Sequence, residues 1–302
     1  MSASRHSTLG YTAGIVPLAV VVLDFDPLLR VGDGLVVRWA TVALAAVVAL
    51  SIVVGGLVGR ARGLRADDLL YIAIGIVPGA VIGGRIGYGL LHFDTFGGNP
   101  SLLLDVGHGG LELGCAVAGG ALTGAYVAAL LGVPVGRWAH TSAGPFLLAI
   151  GLGKFAMILG GSGQGLPSDV SWATSFVGPG PWGSLAPSLP SHPSQAYEGL
   201  AALGILVVLA LVVAAGGFGR RDGRLLLLAI TEWALARAAI SLTWRDAVVV
   251  GPLNVGALIA LGLAIGATTL LVIVSIRARR TAGASATSLE PAWPDPATRP
   301  RF

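Results

Sequence analysis

Charge is scarce in this chain. Of 302 residues, 19 are Lys or Arg and 15 are Asp or Glu, 11% together, where soluble domains carry about 25%. So few charges cannot clothe a water-facing surface, which excludes a soluble globular enzyme and a disordered chain. The excess of +4 is small and falls at helix ends, so the basic pI of 9.7 does not indicate a nucleic-acid binder. Cysteine is nearly absent: Cys115 stands alone, which excludes an intrachain disulfide. Between Gly114 and Ala116 it reads as a small packing residue ahead of a reactive thiol. Alternating apolar–polar stretches are also missing, which argues against a transmembrane β-barrel. What remains is abundant: 54% hydrophobic residues and a mean hydropathy of +0.82. The class is an all-α polytopic membrane protein.

Seven apolar runs reach the ~20 residues needed to cross the hydrocarbon core: about Leu35–Val58, Asp68–Phe93, Leu111–Gly132, Thr141–Gly160, Pro193–Ala215, Leu225–Trp244 and Val250–Ile276. Ile15–Leu23 is too short and is stopped by Asp24 and Asp26. It lacks a charged region directly in front and a clear cleavage site, so it is expected at the membrane surface and not as a cleaved signal peptide. Arg60, Arg62 and Arg65, Arg137, then Arg220, Arg221 and Arg224, and finally Arg277, Arg279 and Arg280 occupy alternate loops and the tail, while 94–110 and 161–192 contain no Lys or Arg and the short loop after the sixth span has only Arg245. The positive-inside rule then puts the N-terminus outside and the C-terminus in the cytoplasm. The expected organisation is an outer segment 1–34, a membrane domain 35–280 with an irregular outer loop at about 161–192, and a disordered cytoplasmic tail 281–302. Trp172 and Trp182 in that loop fit the headgroup level.

Glycine is frequent, 46 of 302. Gly79, Gly83 and Gly87, Gly120 and Gly124, and Gly262 and Gly266 recur every fourth residue, spacing that lets helix backbones approach. Six ionisable residues fall within the spans: Arg85, Glu112, Lys154, Glu198, Glu232 and Arg237. Glu112 and Glu198 lie near span ends, within reach of the interface; the other four lie deeper. Intramembrane charge is expensive and marks functional sites. Arginines in a membrane cavity suit phosphate, because the guanidinium fork matches its oxygens. His192-Pro193-Ser194-Gln195 opens the fifth span, which helix-start chemistry explains by itself; His192 as a general base is the alternative.

These residues carry a resemblance. Gly83-Gly84-Arg85-Ile86-Gly87-Tyr88, His192-Pro193-Ser194-Gln195-Ala196-Tyr197-Glu198, Phe25-Asp26-Pro27, Val37-Arg38-Trp39 and Arg237 stand in the order found in prolipoprotein diacylglyceryl transferases. The resemblance covers roughly residues 24–276. It implies seven spans, a bacterial plasma (inner) membrane location, and transfer of diacylglyceryl from phosphatidylglycerol to the lipobox cysteine of preprolipoprotein signal peptides, with no metal and no cofactor. It implies a base near the thiol and cations on the departing phosphate: His192, His108, Lys154 and Arg237 as catalytic candidates, and Arg85, Lys154, Arg237, Gly165, Gln195 and Tyr197 as phospholipid contacts.

The resemblance has gaps. Where the family reads G-R-x-G-N-F-x-N-G-E, this chain has Lys154, Met157 and Ser162 at the arginine, the first asparagine and the glutamate. The family's H-G-G histidine falls on Gly114, with His108-Gly109-Gly110 in place of the preceding turn; a family glutamate is Ser241, and Glu232 stands where the family has no acid. A catalytically degenerate scaffold that binds phospholipid or lipoprotein precursor, or a small transporter, are the alternatives to transfer.

Overall fold

The computed structural model describes residues 20–32, 34–105 and 109–287, with side chains as far as 280. The expected surface segment is thus described only from Val20 onward, and His108 and residues 288–302 lie outside the described residues.

Among the described residues, seven helices are long and apolar enough to cross a membrane: α1 (Trp39–Ala61), α2 (Ala66–Leu91), α4 (Leu113–Leu130), α5 (Val135–Ile158), α6 (Ser194–Ala214), α7 (Arg224–Ile240) and α8 (Val255–Thr287). A short α3 (Phe93–Phe96) follows α2. The runs read from the sequence match these one for one, with shifted ends. Leu35–Arg38 is not helical: it forms strand β3, antiparallel to β2 (Leu28–Val31), with Leu28 opposite Arg38. Val248–Val250 likewise forms β5 against β6 (Leu253–Asn254). Hydropathy cannot separate a β-branched hairpin arm from the helix that continues it. In α5 the helix starts at Val135, ahead of Thr141, and so carries Arg137 and His140 in its first turns.

The 161–192 loop is irregular but braced. Its strand β4 (Thr174–Phe176) pairs in parallel with β1 (Val21–Leu23). Trp182 packs edge-on against Phe25, centroids 5.0 Å apart, and donates to the Gly178 carbonyl at 3.0 Å. Between β1 and β2, the Leu28 N–H at 2.9 Å and the Arg30 guanidinium both bond Asp26. These bonds, the backbone donor foremost, hold the Asp26 carboxyl below its usual range despite some desolvation.

α7 is the central helix: 56% of its apolar window is buried, against 11–28% for the other six spans. Trp233, Ala229 and Ala234 on α7 are fully enclosed beside Leu147 of α5 and Ala202 of α6. α2 and α4 meet through glycine as expected. A Cβ on Gly79 would lie 2.3 Å from the Gly119 carbonyl oxygen, and one on Gly83 would lie 2.3 Å from that of Cys115, so backbone touches backbone. Gly262 and Gly266 do not follow the expected pattern. A Cβ on either would meet nothing within 4 Å. Their missing side chains leave an open groove of about 660 Å³ running along α4, α5, α7 and α8, walled by Val117, Ala121, Trp138, Leu226 and Leu263.

Candidate functional site

Four helices each contribute one charge to a buried chain. Glu112 is the N-cap of α4, its carboxylate accepting from the backbone N–H of Gly114 at 2.8 Å and of Cys115 at 2.7 Å. Arg237 of α7 donates Nη2 to Glu112 Oε1 at 3.0 Å and Nη1 to both oxygens of Glu198 on α6, at 2.8 and 2.9 Å. Lys154 of α5, the chain's single lysine, places Nζ 2.9 Å from Glu198 Oε2. Glu112, Glu198 and Arg237 are 2, 1 and 5% exposed. Two cations and two carboxylates balance, as burial demands. The Arg237 guanidinium also lies over the Trp244 ring, 4.6 Å from its centroid, a cation–π contact.

Above these four charges sits a polar cavity of about 290 Å³, lined by Lys154, Gln195, Glu198, Arg237, Arg245 and Asp246 together with Trp244 and loop residues. Gln195 is 2% exposed, and neither its amide nitrogen nor its oxygen has a protein partner; Arg237 Nε is also unbonded. Buried polar atoms are normally satisfied, so these three ask for a ligand or solvent. Arg245 donates to the Gly165 carbonyl at 2.6 Å and to Ser191 Oγ at 2.9 Å. Among the described residues no carboxylate lies within salt-bridge distance of it.

Gly165 closes the wall. Its N–H bonds the His192 carbonyl at 2.8 Å, and a Cβ there would lie 2.2 Å from Ser194 Oγ and 2.3 Å from the Thr243 carbonyl oxygen. His192 itself does not line the cavity. Its Nδ1 is 3.2 Å from Tyr197 Oη, which also accepts from Trp172 Nε1 at 2.7 Å. Arg85 stands elsewhere again: its guanidinium donates to the carbonyls of Leu102, Leu103, Asp105 and Gly110, pinning the loop before α4 to α2.

The structure thus gathers Lys154, Arg237 and Gln195 in one cavity with Gly165 in its supporting wall, leaves His192 and Tyr197 beside it, and separates Arg85. His108 lies outside the described residues. Glu112 and Glu198, read from sequence as within reach of the interface, are buried at the centre. The capping position of Glu112, just before a glycine-rich apolar run, was the available signal. Arg245 was counted only as a loop charge. Glu232, read as deep in its span, is exposed on α7. Gly114, the position of the missing histidine, lies beside the network: a Cβ there would be 3.3 Å from both Glu112 oxygens. Gly114 and Cys115, whose N–H groups bond Glu112, also line the apolar groove, so the Glu112–Arg237 pair lies between the groove and the polar cavity.

Sequence comparison places the chain among known proteins. Phosphatidylglycerol–prolipoprotein diacylglyceryl transferases of Nitrobacter hamburgensis and Rhodopseudomonas palustris are 32 and 30% identical over 241 and 247 residues, covering 71 and 72% of this chain and 75 and 78% of those proteins. The enzyme of that name from Nostoc sp. is 25% identical over 259 residues, 83% of this chain and 90% of its own length. The sequence profile of prolipoprotein diacylglyceryl transferase matches residues 27–273, nearly the whole helical bundle, and the chain belongs to that family.

Proposed function

We propose that this multi-pass membrane protein transfers the diacylglyceryl group of phosphatidylglycerol to the cysteine thiol of a prolipoprotein. The observation that carries the reading is that an apolar groove and a polar cavity holding Lys154, Arg237 and Arg245 lie on either side of the buried Glu112–Arg237 pair. A phospholipid has that same division, and the named relatives act on one. In the reaction the cysteine sulfur loses its proton and attacks the terminal glyceryl carbon. A C–S bond forms, the C–O bond to phosphate breaks, and glycerol phosphate leaves with the bonding pair.

Charge therefore develops on phosphate oxygen. Lys154, Arg237 and Arg245 supply preorganised cations around the cavity, the kind of stabilisation worth most in a water-poor site. Glu198 is a positioning residue: its carboxylate ties Lys154 and Arg237 together. The unpartnered Gln195 amide offers a donor and an acceptor to the glycerol headgroup. His192 is the general-base candidate on this reading. It lies three positions before Gln195 on the turn into α6, and its ring shares the Tyr197 hydroxyl. Orientation with the cavity outward, in the bacterial inner membrane, and recognition of the lipobox within a signal peptide belong to the same proposal. The arginine-free 161–192 loop roofing the cavity supports the outward placement.

Purified full-length protein, phosphatidylglycerol and a lipobox peptide are expected to yield a diacylglyceryl thioether, detected by mass spectrometry. No product under conditions where one of the named relatives works would refute the proposal.

A further inference from the structure

The helix ends remote from this cavity enclose a second one, of about 390 Å³, within the ~300–1,000 Å³ typical of ligand pockets. α1, α5 and α6 wall it with Val54, Val58, Leu147, Leu148, Leu206 and Leu209. Arg62, His140 and Thr141 form its polar end. Lys154 lies roughly 21 Å further along α5, at about 1.5 Å per residue, so the two cavities occupy opposite ends of the bundle.

Two independent features point to an occupant. His140 is 3% exposed, and its Nδ1 has no protein partner. Thr141, by contrast, is satisfied by its own helix through the Arg137 carbonyl at 2.9 Å. The second feature is charge. The Arg62 carbonyl accepts from Arg137 Nη2 at 2.8 Å and from Arg221 Nη1 at 3.3 Å, while Arg62 Nη1 donates to the His140 carbonyl at 3.3 Å. Three guanidinium groups converge on one corner. Among the described residues none of the three has a carboxylate within salt-bridge distance, and neighbouring Asp222 is taken by Arg224 Nε at 2.9 and 3.0 Å. Desolvation and the nearby Arg221 charge hold the Arg62 guanidinium below its usual range, as expected for cations gathered without a counter-ion.

We propose that this cavity holds an acyl chain of an anionic phospholipid whose phosphate sits between Arg62 and Arg221, at a site separate from that of transfer. The apolar walls take the chain, the guanidinium forks take phosphate oxygens, and a headgroup oxygen supplies the partner His140 Nδ1 lacks. Basic pockets between helices on the positively charged face of membrane proteins bind acidic lipid headgroups by this chemistry. Net negative charge is what the site selects, so phosphatidylserine binds and zwitterionic phosphatidylcholine does not. The bound lipid ties α1 to α5 and α6 at the end where their arginines would otherwise repel.

The test uses the full chain in vesicles containing phosphatidylserine or phosphatidylcholine with a photoreactive diazirine at the chain end, and peptide mapping of the adducts. Phosphatidylserine is expected to label peptides carrying Leu148 and Leu206 far more strongly than phosphatidylcholine. Arg62→Gln/Arg221→Gln is expected to lower that labelling about thirtyfold, the effect of two surface cations. Gly144→Leu keeps the arginines but fills the cavity, since a Cβ there meets only Leu206 Cδ1 at 3.8 Å; it is expected to exclude the chain as well. Equal labelling by the two lipids, or unchanged labelling in either variant, would overturn the proposal. Because the readout is adduct position and not product, it is independent of whether the chain transfers diacylglyceryl groups.

Discussion

Replacing Lys154 by Met and Glu198 by Gln, singly and together, tests whether the buried charges act as one balanced set. In the native protein Lys154 and Arg237 face Glu198 and Glu112, two against two. Lys154→Met leaves two carboxylates on one arginine. Glu198→Gln leaves two cations on one carboxylate. Each single change strands a buried charge, which costs about 3–5 kcal/mol. If the sites were independent, the double variant would lose the sum, roughly 6–10 kcal/mol. It is not expected to. With both changed, Arg237 faces Glu112 alone, the charges again balance, and the amide oxygen at position 198 still accepts from Arg237. The double variant is therefore expected to lose about as much as one single, about 3–5 kcal/mol, leaving a coupling energy of about 3–5 kcal/mol, at or above the upper end for contacting residues.

The assay is reversible denaturant unfolding in mixed micelles, with turnover measured on the same samples. Losses that add within about 0.5 kcal/mol would refute the balanced-set reasoning. Turnover separates stability from chemistry. Lys154→Met and the double variant both remove a cation from the cavity, so each is expected to lose about 10²–10³-fold in kcat, even though the second substitution adds no further loss of stability. Near-native turnover in the double variant would mean that Lys154 only supports the fold.

Gly165→Ala places a methyl 2.2 Å from Ser194 Oγ and 2.3 Å from a backbone carbonyl; it is expected to cost about 1–3 kcal/mol by overpacking and to lower turnover by displacing Arg245, both readable on purified protein. Gly262→Leu fills open groove: stability is expected to hold or rise by up to about 1 kcal/mol from helix propensity, while KM for long-chain phosphatidylglycerol rises more than kcat falls. Arg85→Lys keeps the charge but cannot reach the carbonyls that the fork serves; thermal unfolding is expected to show a loss of about 2–3 kcal/mol, charged-group hydrogen bonds being worth about 1.5–3 each. Lys154→Arg restores a fork toward Glu198 and phosphate; turnover is expected to hold or rise, and a fall of tenfold or more would show that the cavity has adapted to the smaller ammonium.

The sequence made the spans legible because each apolar run exceeds a bilayer thickness, and hydropathy needs no tertiary information. Their ends were less legible. Leu35-Val36-Val37 and Val248-Val249-Val250 are as apolar as any helix, and only their hairpin partners reveal them as strands. The glycine pattern was half legible. Gly79, Gly83 and Gly120 face another helix, whereas Gly262 and Gly266 face open space, and a four-residue spacing is identical in both cases. Glu112 was misjudged for a related reason. A carboxylate at a span end reads as interfacial, but this one caps a helix whose start is itself buried, and only the partner on α7 explains why it stays there.

Arg245 shows what the replaced family positions hid. The chain has lysine where the family carries an arginine in the fourth span, and a point charge orients phosphate less well than a fork. Counting motif positions therefore suggests a weakened site. The fold answers with a different arginine. Arg245 reaches the cavity from the turn beyond α7, and the Gly165 carbonyl and Ser191 hydroxyl fix it there without neutralising it. Lys154 and Arg237 are already committed to carboxylates, whereas Arg245 makes no salt bridge among the described residues even though Asp246 also lines the cavity, so on the proposed reading Arg245 is the cation left to meet a departing phosphate. A cation held by neutral acceptors loses its freedom to move without being paired, which is the condition for preorganised stabilisation. On the proposed function, the phosphate-holding role given to Lys154 and Arg237 is shared with a third residue whose sequence position, one arginine in a short loop, carries no motif.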